Sequence, residues 1–178
     1  MATHPDLSGE ERQLGEIAAY AQDSEAGLYE FFGNGSGNLL ARYSGDEIVK
    51  ARGRALAELD LLAAFAVLTS VEAAVRIDYT TRVKAKWKDK LSKALRELYR
   101  TKGVKARLED ELLRIWQHES NLSDGLVGDL IGAFKYRHWI AHGRYWVPKL
   151  GRKYDFHGVY VLADQFINEM VAEPQGQS

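Results

Sequence analysis

Apolar positions recur at helical intervals along nearly the whole chain, and no stretch alternates with the period of two that a half-buried strand would show. Leu14, Ile17, Ala18, Ala21, Leu28 and Phe31 lie along a helix predicted over residues 7–32, which the glycine-rich "GNGSGN" at 33–38 interrupts. Ser44 followed by Glu47 has the spacing of a capping box and opens the next helix. From Asp46 the pattern runs without proline to about Asp78, and its middle, Leu59 to Val71, is apolar nearly all round, as in a helix surrounded by others. A basic amphipathic helix is expected over Lys86 to Lys102, with Trp87, Leu91, Leu95 and Leu98 inward and Gly103 at its end. "ARLEDELLRIWQH" predicts a short helix burying Leu108, Leu112, Ile115 and Trp116.

Ser123 or Asp124 can cap a helix over about Gly125 to His142, with Leu126, Leu130, Phe134 and Ala141 on one stripe and Val127 and Ile131 beside it. Gly143 stands where a left-handed residue ends helices, and Pro148 prevents resumption. A last helix is expected over Phe156 to Val171. The fold class this implies is all-α, an irregular antiparallel helical bundle. The divisions are an acidic N-terminal helix with its glycine-rich loop (1–43), the helical domain (44–171) and a polar tail (172–178).

A length of 178 residues fits one domain, large enough for a core without disulfide or metal staples, and 46% hydrophobic with 28% charged residues is globular composition. The absence of cysteine excludes disulfides and thiolate metal sites. The first residues carry neither the basic nor the apolar region of a secretory signal, and the longest apolar run, Leu61 to Leu68, is far shorter than the ~20 residues of a spanning helix. A soluble, cytoplasmic protein with no membrane partner is expected. Net charge is only -1, yet Arg82 to Arg107 hold eleven Lys or Arg against two acids, and Met1 to Phe31 hold seven acids against one base. That asymmetry fits either a solvated basic helix or a nucleic-acid groove.

The chemistry concentrates in "YRHWIAHGRYW", Tyr136 to Trp146. After Phe134 the apolar stripe gives way to Arg137 and His138, and a charge on such a face needs an acidic partner or a surface completed by a ligand or second subunit. His142 falls in the last turn, where the carbonyl end of the helix favours a protonated imidazole, and a histidine there can exchange a proton near neutral pH. Arg137 is five residues earlier, roughly 140° around the helix and about 7.5 Å along it, within reach of the same anion for two long side chains. A solvated helix end is one alternative. A metal pair is another, since His138 and His142 have i, i+4 ligand spacing, but Trp139 stands where the zinc-protease motif has its glutamate, so no metal or other cofactor is expected.

"RHWIAH" resembles the signature of the HEPN superfamily (higher eukaryotes and prokaryotes nucleotide-binding domains): arginine, a polar residue, three more, then histidine near a helix end. Gly143 continues the "AHG" ending common there, and "SVEAAVR", Ser70 to Arg76, looks like the family's first core helix, so the resemblance covers roughly residues 45–170. It implies a metal-independent endoribonuclease acting as a homodimer, with His142 as acid/base, Arg137 on the scissile phosphate and His138 positioning them. It also implies a toxin–antitoxin or phage-defence setting, with an antitoxin or regulatory protein as a further partner. A non-catalytic HEPN module that binds nucleotide, RNA or a protein is the alternative.

Lys135, Arg144, Lys149, Arg152 and Lys153 extend the positive charge of Arg137, with no acid between Lys135 and Tyr154, as a candidate RNA backbone track. Tyr136, Tyr145 and Trp146 are candidates to stack unpaired bases at roughly 1 to 3 kcal/mol each, or to pack in a core or interface. Glu72, inside the central helix, is a candidate ion-pair partner for a motif cation, as in some family members, or a solvent-facing acid. Some toxins of the family carry a modifiable tyrosine two residues beyond the motif histidine; that place is Arg144, with Tyr145 one later.

Overall fold

A 41-residue helix forms the axis around which the other elements assemble. The structure, a computed structural model, describes residues 7–33 and 42–173. Among them are six α-helices and no strand: α1 (Leu14–Gly33), α2 (Gly45–Ala85), α3 (Lys90–Lys102), α4 (Leu113–Glu119), α5 (Asp124–Ala141) and α6 (Phe156–Ala172). A 3-10 turn, Gly103–Lys105, and a π-helical turn, Leu108–Leu112, join α3 to α4. This is an all-α helical bundle. No helix among the described residues is long and apolar enough to cross a membrane.

The start of α2 is set by its cap. Both the amide (3.1 Å) and the hydroxyl (2.7 Å) of Ser44 donate to the Glu47 carboxylate, which holds that carboxyl below its ordinary range. Along α2, Ala64, Val67, Leu68, Val71 and Val75 are fully buried beneath α1, α3, α5 and α6. Leu14 and Ile17 of α1 join this main core, while Phe32 with Ala51, Leu28 and Ile48 makes a smaller cluster at the other end of α1. The acidic helix thus lies along α2 of its own chain.

Several expected boundaries move. Helix α1 begins at Leu14 rather than residue 7, and the preceding segment runs along α2, where Ser70 Oγ donates to the Arg12 carbonyl. Phe31 is exposed and its neighbour Phe32 is buried, because Phe32 stands a whole number of helical turns from Leu14 and shares its inward face, whereas Phe31 is turned about 100° away. Apart from Gly33, the glycine-rich loop lies outside the described residues. Helix α2 continues past Asp78 to Ala85, where Lys86 takes a left-handed conformation (φ 56). Helix α3 accordingly begins at Lys90 rather than Lys86, with the Asp89 carboxylate accepting from Ser92 N at 2.8 Å.

The hidden continuation of α2 is polar yet buried. Arg82 is 0% exposed, its guanidinium bonded to Asp78 (2.8 Å), facing Asp89 (3.4 Å) and Ser92 Oγ (3.2 Å), and lying over the rings of Trp87 and Trp116. It ties the end of α2 to the starts of α3 and α4.

Helix α5 is capped by Ser123 Oγ, which accepts from Leu126 N. It buries Leu126, Val127, Leu130, Ile131, Ala133, Phe134 and Tyr136, but Ala141, expected on the inner stripe, is exposed because the helix has by then left the core. Gly132 permits a close approach: a Cβ there would stand 2.5 Å from the Tyr154 hydroxyl. Tyr154 is buried and stacks on Tyr136 (centroids 5.5 Å, 15°). Gly132→Ala is therefore expected to displace this ring and lower stability by about 1–3 kcal/mol, measurable in urea unfolding. An unchanged midpoint would show that the segment before α6 yields freely.

Candidate active site

The site is built where the C-terminal half of α5 runs antiparallel to α2. Arg137 meets Glu72 and Phe65, and Arg144, seven residues on, meets Glu58. Glu72 is shared: its Oε1 accepts from Arg76 Nε and its Oε2 from Arg137 Nη2, both at 2.9 Å. Arg76 also donates to the Ala106 carbonyl, so the acid is held from both ends of the site. The Arg137 guanidinium lies 5.6 Å from the Phe65 ring centre, and its side chain remains 31% exposed. Its buried Nε has no acceptor among the described residues. The arginine is thus anchored through one nitrogen with further donors uncommitted.

His138 and His142 are both exposed, and their rings approach to 4.2 Å between centroids. The i, i+4 spacing brings this about, and the helix then stops. The His142 amide donates to the His138 carbonyl, and Gly143 (φ 80) and Arg144 (φ 59) take consecutive left-handed conformations whose amides close onto Ile140 and Trp139. The reversal brings Trp146 back so that its carbonyl accepts from Trp139 Nε1 (2.7 Å) and its ring stands 6.1 Å from His138.

A groove of about 560 Å³ opens beside these residues. Lys135, Arg137, His138 and Lys149, all singled out from sequence, line it together with Glu72. His142 lies outside its lining, against His138. Arg144 and Arg152 are placed differently: each is paired with an acid from another element, Arg144 with Glu58 (2.7 Å) and Arg152 with Asp129 (3.0 Å), and Arg152 also covers the Tyr154 ring. The positive track, free of acids when followed along the sequence, is interrupted in space. Tyr145 is 83% exposed and edge-on to Trp146, whereas Tyr136 is buried between Trp139 and Tyr154. Tyr136 is therefore a core residue and unavailable to a nucleobase.

Four charged groove residues were not anticipated: Arg76, Arg107, Glu109 and Asp110. Glu109 sits on the π-helical turn, where the Leu112 amide bonds back five residues to the Arg107 carbonyl. Burial pushes its carboxyl above the ordinary range, opposed by the positive charges of His138, Arg137 and Lys135. The alternation of acids and bases in "ARLEDELLR" was the available signal, but periodicity alone assigns those residues to a solvated face.

Part of the charge of the basic segment 82–107 is met by acids, several of them from neighbouring elements. Arg82, Lys90, Arg100, Lys102 and Arg107 pair with acids, and Arg96 donates to the Trp87 carbonyl. Among the described residues no three His, Cys, Asp or Glu side chains gather as a metal site. No protein-family model, curated protein or solved structure matches this chain.

Proposed function

We propose that the chain is an endoribonuclease of the HEPN type, cutting single-stranded RNA without a metal in a composite site formed by two copies. The observation that carries this reading is the exposed His138–His142 pair beside an arginine anchored by Glu72. Cleavage by the RNA's own 2′-hydroxyl needs one group to take that proton as the oxygen attacks phosphorus. It needs a second to protonate the departing 5′-oxygen, and positive charge on the phosphorane-like transition state. His142 serves as acid/base, Arg137 holds the phosphate and His138 positions them. A second copy related by a two-fold axis supplies a second imidazole and guanidinium. Exposed apolar side chains near this helix end, Leu62 (52%) and Val147 (90%), suit such a contact. The cellular role this supports is a cytoplasmic toxin or phage-defence effector held in check by an antitoxin or regulatory protein.

With EDTA present, purified protein is expected to cut unstructured RNA into fragments ending in 2′,3′-cyclic phosphate and 5′-hydroxyl, identified by mass spectrometry. Activity that appears only on adding a divalent metal, or none at all, would overturn the mechanism. The second reading, a non-catalytic module binding RNA or a protein, is favoured by the Arg137–Glu72 ion pair, which already satisfies part of the guanidinium within one chain. It predicts RNA retention without cleavage under the same conditions.

A further inference from the structure

The groove beside the histidines contains three carboxylates, and they are not equivalent. Both oxygens of Glu72 are taken by Arg76 and Arg137. Asp110 is exposed and paired with Arg107 at 3.1 Å. Glu109 is half-buried, and among the described residues no hydrogen bond or ion pair engages it. A carboxylate partly withdrawn from water accepts hydrogen bonds only, through two oxygens side by side, and is stabilised by whatever brings a matching pair of donors.

Two further features share the groove. Trp146 is a half-buried aromatic wall, continued by Pro148 and Leu150. Lys135 and Lys149 are exposed cations with no ion-pair partner among the described residues. A stacking surface, a double acceptor and loose cations together fit a nucleotide, and about 560 Å³ lies within the usual ~300–1,000 Å³ of small-molecule sites.

The acceptor chooses among the bases. The Watson–Crick edge of guanine offers two adjacent donors, N1–H and the exocyclic N2–H. Adenine and cytosine set one donor beside a bare ring nitrogen that would face the carboxylate, and uracil sets its single N–H between two carbonyls. We infer that this groove is a guanine subsite, in which Glu109 accepts from N1–H and N2–H, Trp146 stacks on the base and Lys135 and Lys149 hold the flanking phosphates. This rests on the ribonuclease reading for its place in catalysis and makes the enzyme cut next to guanine. An arginine side chain from a protein partner presents a similar donor pair and also stacks on tryptophan. The surrounding Arg76, Arg107, Lys135 and Lys149 disfavour a cation and favour a phosphate-bearing ligand.

Calorimetric titration of the intact protein with GMP, AMP, CMP and UMP tests the subsite without requiring cleavage, and N-acetylarginine amide serves as the competing ligand. GMP is expected to bind about tenfold or more tightly than the other three nucleotides. Glu109→Gln, which exchanges one acceptor for a donor, should abolish that preference while leaving the melting temperature close to that of the unaltered protein, and Glu109→Ala should do the same. Equal affinities, binding of the arginine amide in place of GMP, no nucleotide binding at millimolar concentration, or a preference that survives both substitutions would each overturn the subsite. Mapping cuts on an RNA of mixed sequence separates the two readings. Cleavage without guanine preference removes the subsite and spares the nuclease, whereas selective GMP binding without cleavage does the reverse.

Discussion

His142→Ala is expected to lower RNA cleavage by about 10²-fold or more, and Arg137→Ala by a similar factor, in a fluorogenic single-stranded RNA assay with EDTA. The two losses have different origins. His142 is exposed and its ring meets that of His138, so its removal should leave unfolding within about 0.5 kcal/mol of the unaltered chain while deleting the proposed proton carrier. In the proposed mechanism Arg137 contributes the fixed charge that meets the developing negative charge on phosphorus. Arg137→Lys keeps the charge but loses the planar fork that can engage Glu72 and a phosphate together, so it should recover only part of the activity. Full activity in His142→Ala would remove the mechanism, whatever the arginine variants do.

Arg82→Met should have the largest effect on stability, a loss of about 3–5 kcal/mol in urea unfolding, because it strands two partly buried carboxylates around a vacated charge. The loss should depend on pH. Burial pushes the Asp78 carboxyl up to about 6, against the pull of Arg82. Its folded value lies above its ordinary value, so the folded chain holds this proton more readily. Its unfavourable contribution to stability is therefore present above about pH 6 and fades as the pH falls from there toward 3.8. Without the arginine that carboxylate is less tolerable still, and the difference between Arg82→Met and the unaltered chain should shrink from pH 7 to pH 5. A loss under 1 kcal/mol at neutral pH would show that the guanidinium is replaceable by packing alone.

Features governed by neighbouring residues were legible from sequence. The Ser44–Glu47 box, the Ser123 cap and the glycine stop after His142 each depend on chemistry within a few positions, and each falls where the spacing puts it. The approach of His138 to His142 follows from one helical turn. Long-range partners were not legible in the same way. Glu58 and Asp129, which claim Arg144 and Arg152, lie 86 and 23 positions away in sequence, so the cationic run looked freer than it is. Tyr79, Thr80 and Arg82 carry α2 seven residues further than its apolar pattern because their polar groups are satisfied inside. The π-helical turn escaped for a subtler reason: shifting a hydrogen bond from four residues to five leaves no mark in composition, yet this turn carries Glu109 in the lining of the groove.

Helix α2 has a mechanical consequence. Over 41 residues, about 60 Å, it contains no proline, and its glycines, Gly45 and Gly53, fall near its start. The acid that steadies Arg137 and the arginine locked near the far end therefore ride one stiff strut, about 15 Å apart, with no joint between them. Switching such a protein on or off by flexing its spine is disfavoured, and control is left to whatever clasps or releases the strut from its sides.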